Sequence, residues 1–160
     1  MTTWKDIYKN KIIQPNEITD RIREIRAPGK TLVTLNGAFD LLHAGHLHIL
    51  YEASKQGDIL IVALNSDKSI KQYKSTSRPF IPLEDRLQMM CALGFVDYVT
   101  WFEEPDPVEL LKKIQPDVHV NGSDYKGHCI EETVVPKVHY VELVPGLSTS
   151  QIVEKIKTCD

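Results

Sequence analysis

The sequence lacks the features of a secreted, membrane-spanning or nucleic-acid-binding protein. Its three cysteines, Cys91, Cys129 and Cys159, are widely spaced and form no pair motif, so we expect reduced thiols in a cytoplasmic protein. No apolar run is long enough to cross a bilayer, and residues 1–5 lack the apolar core of a signal peptide. The net charge of −3 gives no general attraction to nucleic acid. Any site for phosphates must therefore be local.

Repeats, low-complexity segments, the three-glycine dinucleotide fingerprint and the phosphate loop that ends in Gly-Lys-Ser/Thr are also missing. With 160 residues, 42% of them hydrophobic and 26% charged, the chain has the size and composition of one globular domain. We expect a single domain over 1–160, with an N-terminal lead-in and helix over 1–30 and a core over 31–160.

Apolar runs and helical spacings alternate along the chain. After an irregular stretch over 1–15, Asn16 is expected to cap a helix that ends near Arg26. Strands are predicted from Thr31 and over 58–64, 97–101, 118–120 and 140–144, with helices between them and a last helix over 148–157. The alternation predicts an α/β fold, a Rossmann-like doubly wound five-stranded parallel sheet with helices on both faces. Ligands of such sheets bind outside the carboxyl ends of the strands.

The segment 31–50 combines a buried strand, a glycine turn at 36–37 and the start of a helix. Backbone N–H groups at such a helix start are unpaired and favour anions. His43 and His46 are three residues apart and share one face, and Gly45 between them lets a phosphate approach the backbone. These features predict a phosphate site.

Two other interpretations of the histidine pair remain open. Most His-x-x-His pairs are surface or cap residues, and two histidines can also belong to a zinc site. No cysteine or acidic cluster near them supplies further ligands, so we predict no metal held by the protein.

Further polar groups follow the other strands. Residues 65–67 are expected to cap a helix, and 71–79 form a basic loop that is either a solvated linker or a flap over a triphosphate. Residues 122–125 form a glycine turn that also suits contacts to a base and ribose. Ser148 with Gln151 predicts a capping box, which leaves Thr149 and Ser150 for a second phosphate.

The order Gly37-Ala38-Phe39-Asp40, then His43-Ala44-Gly45-His46, resembles the signature of the HxGH nucleotidyltransferase superfamily, which is cytidylyltransferase-like. The resemblance implies transfer of a nucleotidyl group from a nucleoside triphosphate, with Mg²⁺ bridging phosphate oxygens. As catalytic residues it implies His43, His46, Lys74 and Arg86. As nucleotide-binding residues it implies Asn36, Gly37, Ala38, Phe39, Asp40, Gly45, Asn65, Asp67, Arg78, Asn121, Gly122, Asp124, Tyr125, Ser148, Thr149 and Ser150.

Over most of the chain the motif order is similar to the adenylyltransferase domains that make ADP-heptose for bacterial lipopolysaccharide. This implies AMP transfer from ATP to D-glycero-D-manno-heptose 1-phosphate, and relatives are often homodimers. Three residues depart from that pattern: Ala38 replaces Cys, Asn121 replaces Lys, and Ser123 replaces Gly.

Other functions remain open. Glycerol-3-phosphate cytidylyltransferases carry an arginine before the last glycine motif, whereas this chain has Glu-Leu-Val-Pro over 142–145, which favours ATP over CTP. An FMN adenylyltransferase is a more distant alternative. A nucleotide-binding module without turnover is the alternative of a different class.

Overall fold

The computed structural model of the chain describes residues 1–26 and 28–159. The predicted segments 1–30 and 31–160 also contain Ala27 and Asp160, which lie outside the described residues. None of the described helices has the length and apolar character that crossing a membrane requires.

Strands and helices alternate as predicted. The strands are β1 (Leu32–Gly37), β2 (Ile59–Asn65), β3 (Tyr98–Phe102), β4 (Val118–Gly122) and β5 (Val138–Val141). The helices are α1 (Trp4–Lys11), α2 (Ile18–Ile25), α3 (Ala44–Ser54), α4 (Asp67–Tyr73), α5 (Leu83–Cys91), α6 (Val108–Ile114) and α7 (Thr149–Lys157). Short 3₁₀ turns at Ser123–Tyr125 and Ile130–Thr133 join β4 to β5, and the second is the helical turn expected near Glu131.

All strand pairs are parallel, and the order across the sheet is β3-β2-β1-β4-β5. The predicted five-stranded Rossmann-like sheet is therefore confirmed. The chain builds outward from β1 to β3 and then crosses to β4 and β5, so the order reverses between β1 and β4. This is the position at which open α/β sheets bind ligands.

Helices cover both faces of the sheet. Because side chains of a strand alternate between faces, Val33 and Leu35 of β1 join one buried cluster with α3 and α5, and Leu32 joins another with α2 and α6. In β2, Val62 and Ile61 divide in the same way. The sheet is thus fixed on both sides, and its carboxyl edge is held rigidly.

Several sequence predictions about helices and strand ends were wrong. The stretch expected to be irregular contains α1, which begins with a capping box: Thr3 Oγ1 accepts from Asp6 N, and the Asp6 carboxylate accepts from Thr3 N at 2.9 Å. Helix α2 starts one residue later than the predicted cap at Asn16 implies, and its N-cap residue, Glu17, makes no side-chain cap bond.

Strand β5 ends at Val141 and not at residue 144, because its partner β4 ends at Gly122, which pairs with Val141. Residues 142–148 are thereby free to turn over the end of the sheet. Helix α3 begins at Ala44, earlier than the predicted start after His46, and α4 extends to Tyr73 into the predicted basic loop.

Candidate active site

A cavity of about 360 Å³ opens at the carboxyl edge of the sheet, between the ends of β1 and β4. The starts of α3 and α7 both line it. Most of the predicted site residues line it: Asn36, Gly37, Ala38, Phe39, Asp40, His43, Gly45, His46, Lys74, Asn121, Gly122, Asp124, Tyr125, Ser148, Thr149 and Ser150. The structure thus brings together segments that are more than 100 residues apart in the sequence.

The remaining predicted residues, Asn65, Asp67, Arg78 and Arg86, do not line this cavity. They make hydrogen bonds and ion pairs with residues around the cavity. Asn65 Nδ2 donates to Ser69 Oγ at 3.0 Å, and the other three take part in the ion pairs described below.

His43 and His46 stack on each other, with ring centroids 3.8 Å apart and planes at 21°. His43 occupies the N-cap position of α3, but its side chain makes no cap hydrogen bond. Nδ1 of both rings is buried and has no hydrogen-bond partner among residues 1–26 and 28–159. Because buried polar atoms are normally paired, these nitrogens are suited to a ligand. The cap interpretation of the pair does not account for them.

Burial controls the charge of the pair. Loss of hydration lowers the pKa of His46 to about 4, with further lowering by the nearby His43 and Lys74. Burial also lowers the pKa of His43. At neutral pH His46 is therefore an uncharged imidazole with one N–H donor. An anion bound beside the rings would favour the protonated form and raise these pKa values.

The turn before α3 fixes the ring of His46. Phe39 adopts a left-handed backbone (φ +47°) and its ring packs edge-on against His46 at 5.1 Å. A Cβ at Gly37 would lie 3.0 Å from the Phe39 ring, so a glycine there lets the ring fold back. Asn36 Oδ1, at the end of β1, is buried without a partner within the described part of the chain.

Gly45 keeps the cleft open between α3 and the segment before α7. A Cβ at this position would come within 3.0 Å of the His43 ring and 3.1 Å of Leu147 Cβ. Any side chain would displace the imidazole and narrow the entrance. The sequence predicted that a glycine at position 45 gives a phosphate access to the backbone. The structure adds a second reason for the glycine, which is its close packing against the His43 ring and Leu147.

Helix α7 supplies the opposite wall. Ser148 is its N-cap residue and accepts from Gln151 N at 3.2 Å, which is one half of the predicted capping box. The return bond from the Gln151 side chain to Ser148 N is not among the hydrogen bonds of the described residues. Thr149 and Ser150 begin the helix and line the cavity. The first turns of α3 and α7 therefore line one cavity, and because several N–H groups of a helix's first turn lack intrahelical partners, this arrangement is suited to phosphates.

Asp40 organises the segment that follows the basic loop. Its carboxylate, with the residue 3% exposed, accepts from Arg78 Nη1 at 2.8 Å, Phe80 N at 2.7 Å and Ile81 N at 2.9 Å. Both carboxylate oxygens are thus engaged by the protein. Lys74 reaches the cavity from the same segment, and its incomplete hydration together with Arg78 lowers its pKa.

Arg86 was predicted to contact phosphates, but the structure does not bring it to the cavity. Its side chain is fully buried, and Nη1 donates to the carbonyls of Ala38 at 2.7 Å and Asn65 at 2.9 Å. Nε donates to Ile81 O, and Nη2 pairs with Asp67 at 2.6 Å. Arg86 therefore joins the ends of β1 and β2 to the segment held by Asp40.

The floor of the cavity is the end of β4. A Cβ at Gly122 would contact the Asp124 carboxylate, so a larger residue here would require the Asp124 side chain to move. Sequence analysis missed the apolar part of the wall, which is formed by Leu35, Ile49, Leu143, Val144 and Leu147. The sequence did not identify Leu143 and Val144, because it predicted that β5 continues through them to residue 144.

The Cytidylyltransferase-like family model matches residues 34–159. Bifunctional protein HldE of Campylobacter curvus is 49% identical over 154 residues, which are 96% of this chain and 32% of that protein. Bifunctional protein HldE of Helicobacter pylori is 45% identical over 131 residues, covering 81% of this chain and 28% of that protein. The chain thus spans about a third of the length of these curated relatives.

Two solved structures are similar. A lipopolysaccharide core biosynthesis protein from Thermoplasma volcanium has a TM-score of 0.59 and 26% identity, with 72% of this chain and 98% of that chain covered. A pantoate-beta-alanine ligase from Francisella tularensis has a TM-score of 0.63 over 91% of this chain and 76% of that chain. At 16% identity this second likeness shows the fold alone.

Proposed function

The chain belongs to the cytidylyltransferase-like family, and we propose that it is an adenylyltransferase that transfers AMP from ATP to a sugar phosphate. One observation carries the proposal: two helix starts, one with His43, Gly45 and His46 and the other with Ser148–Ser150, line a single cavity. Two anionic groups can be held there side by side, which is what joining two phosphates requires.

The reaction needs no protein nucleophile. An oxygen of the acceptor phosphate attacks the α-phosphorus of ATP, the bond from that phosphorus to the bridging oxygen of the β-phosphate breaks, and pyrophosphate leaves with that oxygen. The protein holds the two anions in line and stabilises the charge that develops. His43 and His46 would donate to the α-phosphate oxygens, and Lys74 would neutralise the β- and γ-phosphates.

Arg86 supports this site indirectly. Because its guanidinium holds the Ala38 carbonyl and the end of β2, it fixes the turn that positions His46. We therefore assign Arg86 and Asp40 as positioning residues and leave the phosphates to the histidines, Lys74 and the two helix starts.

Mg²⁺ would enter with ATP. The Asp40 oxygens are occupied by protein donors, and among the described residues there is no group of three or more His, Cys, Asp or Glu that could hold a metal ion. The phosphates themselves would supply its ligands, and the ion would neutralise their charge.

Heptose 1-phosphate is the acceptor that the proposal favours. The relatives named Bifunctional protein HldE support it through their 40–49% identity. The alternatives are a glycerol-3-phosphate cytidylyltransferase and a binding module without turnover. The proposal also includes a single domain over 1–160, a cytoplasmic location and assembly as a homodimer.

The experiment is pyrophosphate release with Mg²⁺, in which ATP and CTP are each combined with heptose 1-phosphate, glycerol 3-phosphate and FMN. We expect turnover with ATP and heptose 1-phosphate alone. Turnover with another pair would replace the substrates and keep the reaction. Binding of ATP without release in any combination would instead support the binding module.

A further inference from the structure

A row of buried polar side chains, each in contact with the next, ends at the cavity floor. Asn121 is 8% exposed and lines the cavity, Cys129 is 6% exposed, and Glu131 is 5% exposed. Asn121 Nδ2 lies 3.5 Å from Cys129 Sγ, and Cys129 Sγ lies 3.1 Å from Glu131 Oε2. Neither Cys129 nor Glu131 lines the cavity itself.

The row continues into the core through His119, which is fully buried. Its Nε2 lies 3.9 Å from Glu131 Oε1, and its Nδ1 is hydrogen-bonded to Thr34 Oγ1 at 2.8 Å. At 3.9 Å His119 is a neighbour of the carboxylate and not a hydrogen-bond partner. Glu131 is buried, and its Oε2 accepts a hydrogen bond from the thiol of Cys129.

The chemistry of the thiol sets the orientation of the amide. Cys129 has one S–H, which donates to the Glu131 carboxylate, so its sulfur can only accept from Asn121. Nδ2 of Asn121 must then point to the sulfur, and Oδ1 is the amide atom that the thiol does not engage. Because Asn121 lines the cavity, its Oδ1 is available there as an acceptor at the end of β4.

We propose that Asn121 is a specificity-determining residue whose Oδ1 accepts a hydrogen bond from a sugar hydroxyl of the bound substrate, with Cys129 and Glu131 as positioning residues. This rests on the proposed function. An amide oxygen does not favour phosphate oxygens, which are also acceptors. The carbons bonded to phosphates held at the starts of α3 and α7 belong to sugars, and Asn121 lines the same cavity as these two starts.

Both ATP and a sugar phosphate carry such hydroxyl groups, so the test must tell them apart. Asn121→Leu removes the amide and keeps a side chain of similar size. Cys129→Ala removes the thiol that contacts both Asn121 and Glu131, and Cys129→Ser keeps a donor and an acceptor at that position. The exposed Cys159→Ser is the matched control for loss of a thiol. For each variant, the Kd of ATP, 2′-deoxy-ATP, 3′-deoxy-ATP and heptose 1-phosphate is measured by calorimetry, with KM and kcat where turnover occurs.

We expect Asn121→Leu to weaken either ATP or the sugar phosphate by about tenfold and to leave the other unchanged, because one neutral hydrogen bond is lost. Cys129→Ala should weaken the same substrate by about threefold, whereas Cys129→Ser and Cys159→Ser should match the wild type. If the affected substrate is ATP, the preference for ATP over one deoxy analogue should also disappear in Asn121→Leu.

Affinities that stay within twofold in Asn121→Leu would overturn the inference. Parallel losses of both affinities and of melting temperature would also overturn it, since they would show a structural role alone. A wild type that binds both substrates without turnover contradicts the proposed function, and the Kd values then still decide the inference. A wild type that binds neither overturns both.

Discussion

At the scale of single residues, the protonation of His46 links ligand binding to pH. Its pKa is lowered to about 4 by burial first, then by His43 and Lys74, so the ring of the free protein is uncharged at neutral pH. A triphosphate placed against it reverses the electrostatic balance and favours the imidazolium. Nucleotide binding should therefore take up protons in weakly acidic solution.

His46→Ala should lower kcat by about a hundredfold or more, because one donor to the developing charge on the α-phosphate is lost. The fold should remain, since the contacts of the ring are with the cavity wall, His43 and Phe39. The assay is pyrophosphate release, accompanied by a thermal melt.

His48→Ala is the matched control. His48 lies on the same helix but does not line the cavity, so its removal should leave kcat within about twofold. Equal losses in both variants would contradict the assignment of His46 to the chemistry.

At the scale of elements, Arg86 on α5 connects parts of the chain that the sheet alone does not join. Its guanidinium bonds to the carbonyl that follows β1, to the last residue of β2 and to Asp67 at the start of α4. Arg86→Leu should lower the free energy of unfolding by about 3 kcal/mol, because buried carbonyls lose their donors and Asp67 loses its partner. Urea unfolding measures this change.

Two further variants test whether the stability depends on the geometry of the Arg86 hydrogen bonds. Arg86→Lys keeps the charge but cannot make the same set of bonds, so its loss should be intermediate. Arg23→Leu removes an exposed arginine whose pair with Asp20 is also exposed, and it should stay within about 0.5 kcal/mol. A loss in Arg86→Leu no larger than in Arg23→Leu would contradict the structural role.

The sequence was sufficient for the order of strands and helices and for the motif at the start of α3, because buried parallel strands are continuous apolar runs and glycine turns interrupt them. It was insufficient for Arg86. From sequence alone, a charged residue on a helix is predicted to be exposed. Only the tertiary structure shows that buried carbonyls accept hydrogen bonds from Arg86. Helix α1 was missed because Thr3 and Asp6 form their capping box in a short polar segment near the chain start.

The apolar cavity wall was unpredictable for a related reason. The sequence predicted that β5 continues to residue 144, which would have placed Leu143 inside the sheet. Pairing with β4 stops at Val141, so the following residues turn over the cavity. Register between strands, which local patterns do not specify, decided this part of the site.

At the scale of the whole molecule, buried histidines should make stability depend on pH. Burial lowers the pKa of His119 to about 4, below its usual value of 6.5. Below pH 6.5 the His119 imidazole of the unfolded chain therefore binds a proton, whereas in the folded chain it binds that proton only near pH 4. The free energy of unfolding should fall as pH drops through this window, at a slope on the order of 1 kcal/mol per pH unit for this group.

Urea unfolding at pH 7 and pH 5 checks this expectation. His119→Asn, which can keep the contact with Thr34 but cannot take up the proton, should reduce the difference between the two pH values. His128→Asn, at an exposed position, should retain the wild-type difference. An unchanged difference in His119→Asn would show that acid sensitivity arises elsewhere.

The strand order reverses between β1 and β4, and the starts of α3 and α7 line one cavity at this edge of the sheet. The central claim is that this cavity joins two phosphates by nucleotidyl transfer, and the most direct test follows the phosphorus atoms of ATP. With heptose 1-phosphate as acceptor, label from [α-³²P]ATP should appear in the sugar product, and label from [γ-³²P]ATP should appear in pyrophosphate. Label from the γ-phosphate in the sugar product would contradict the account.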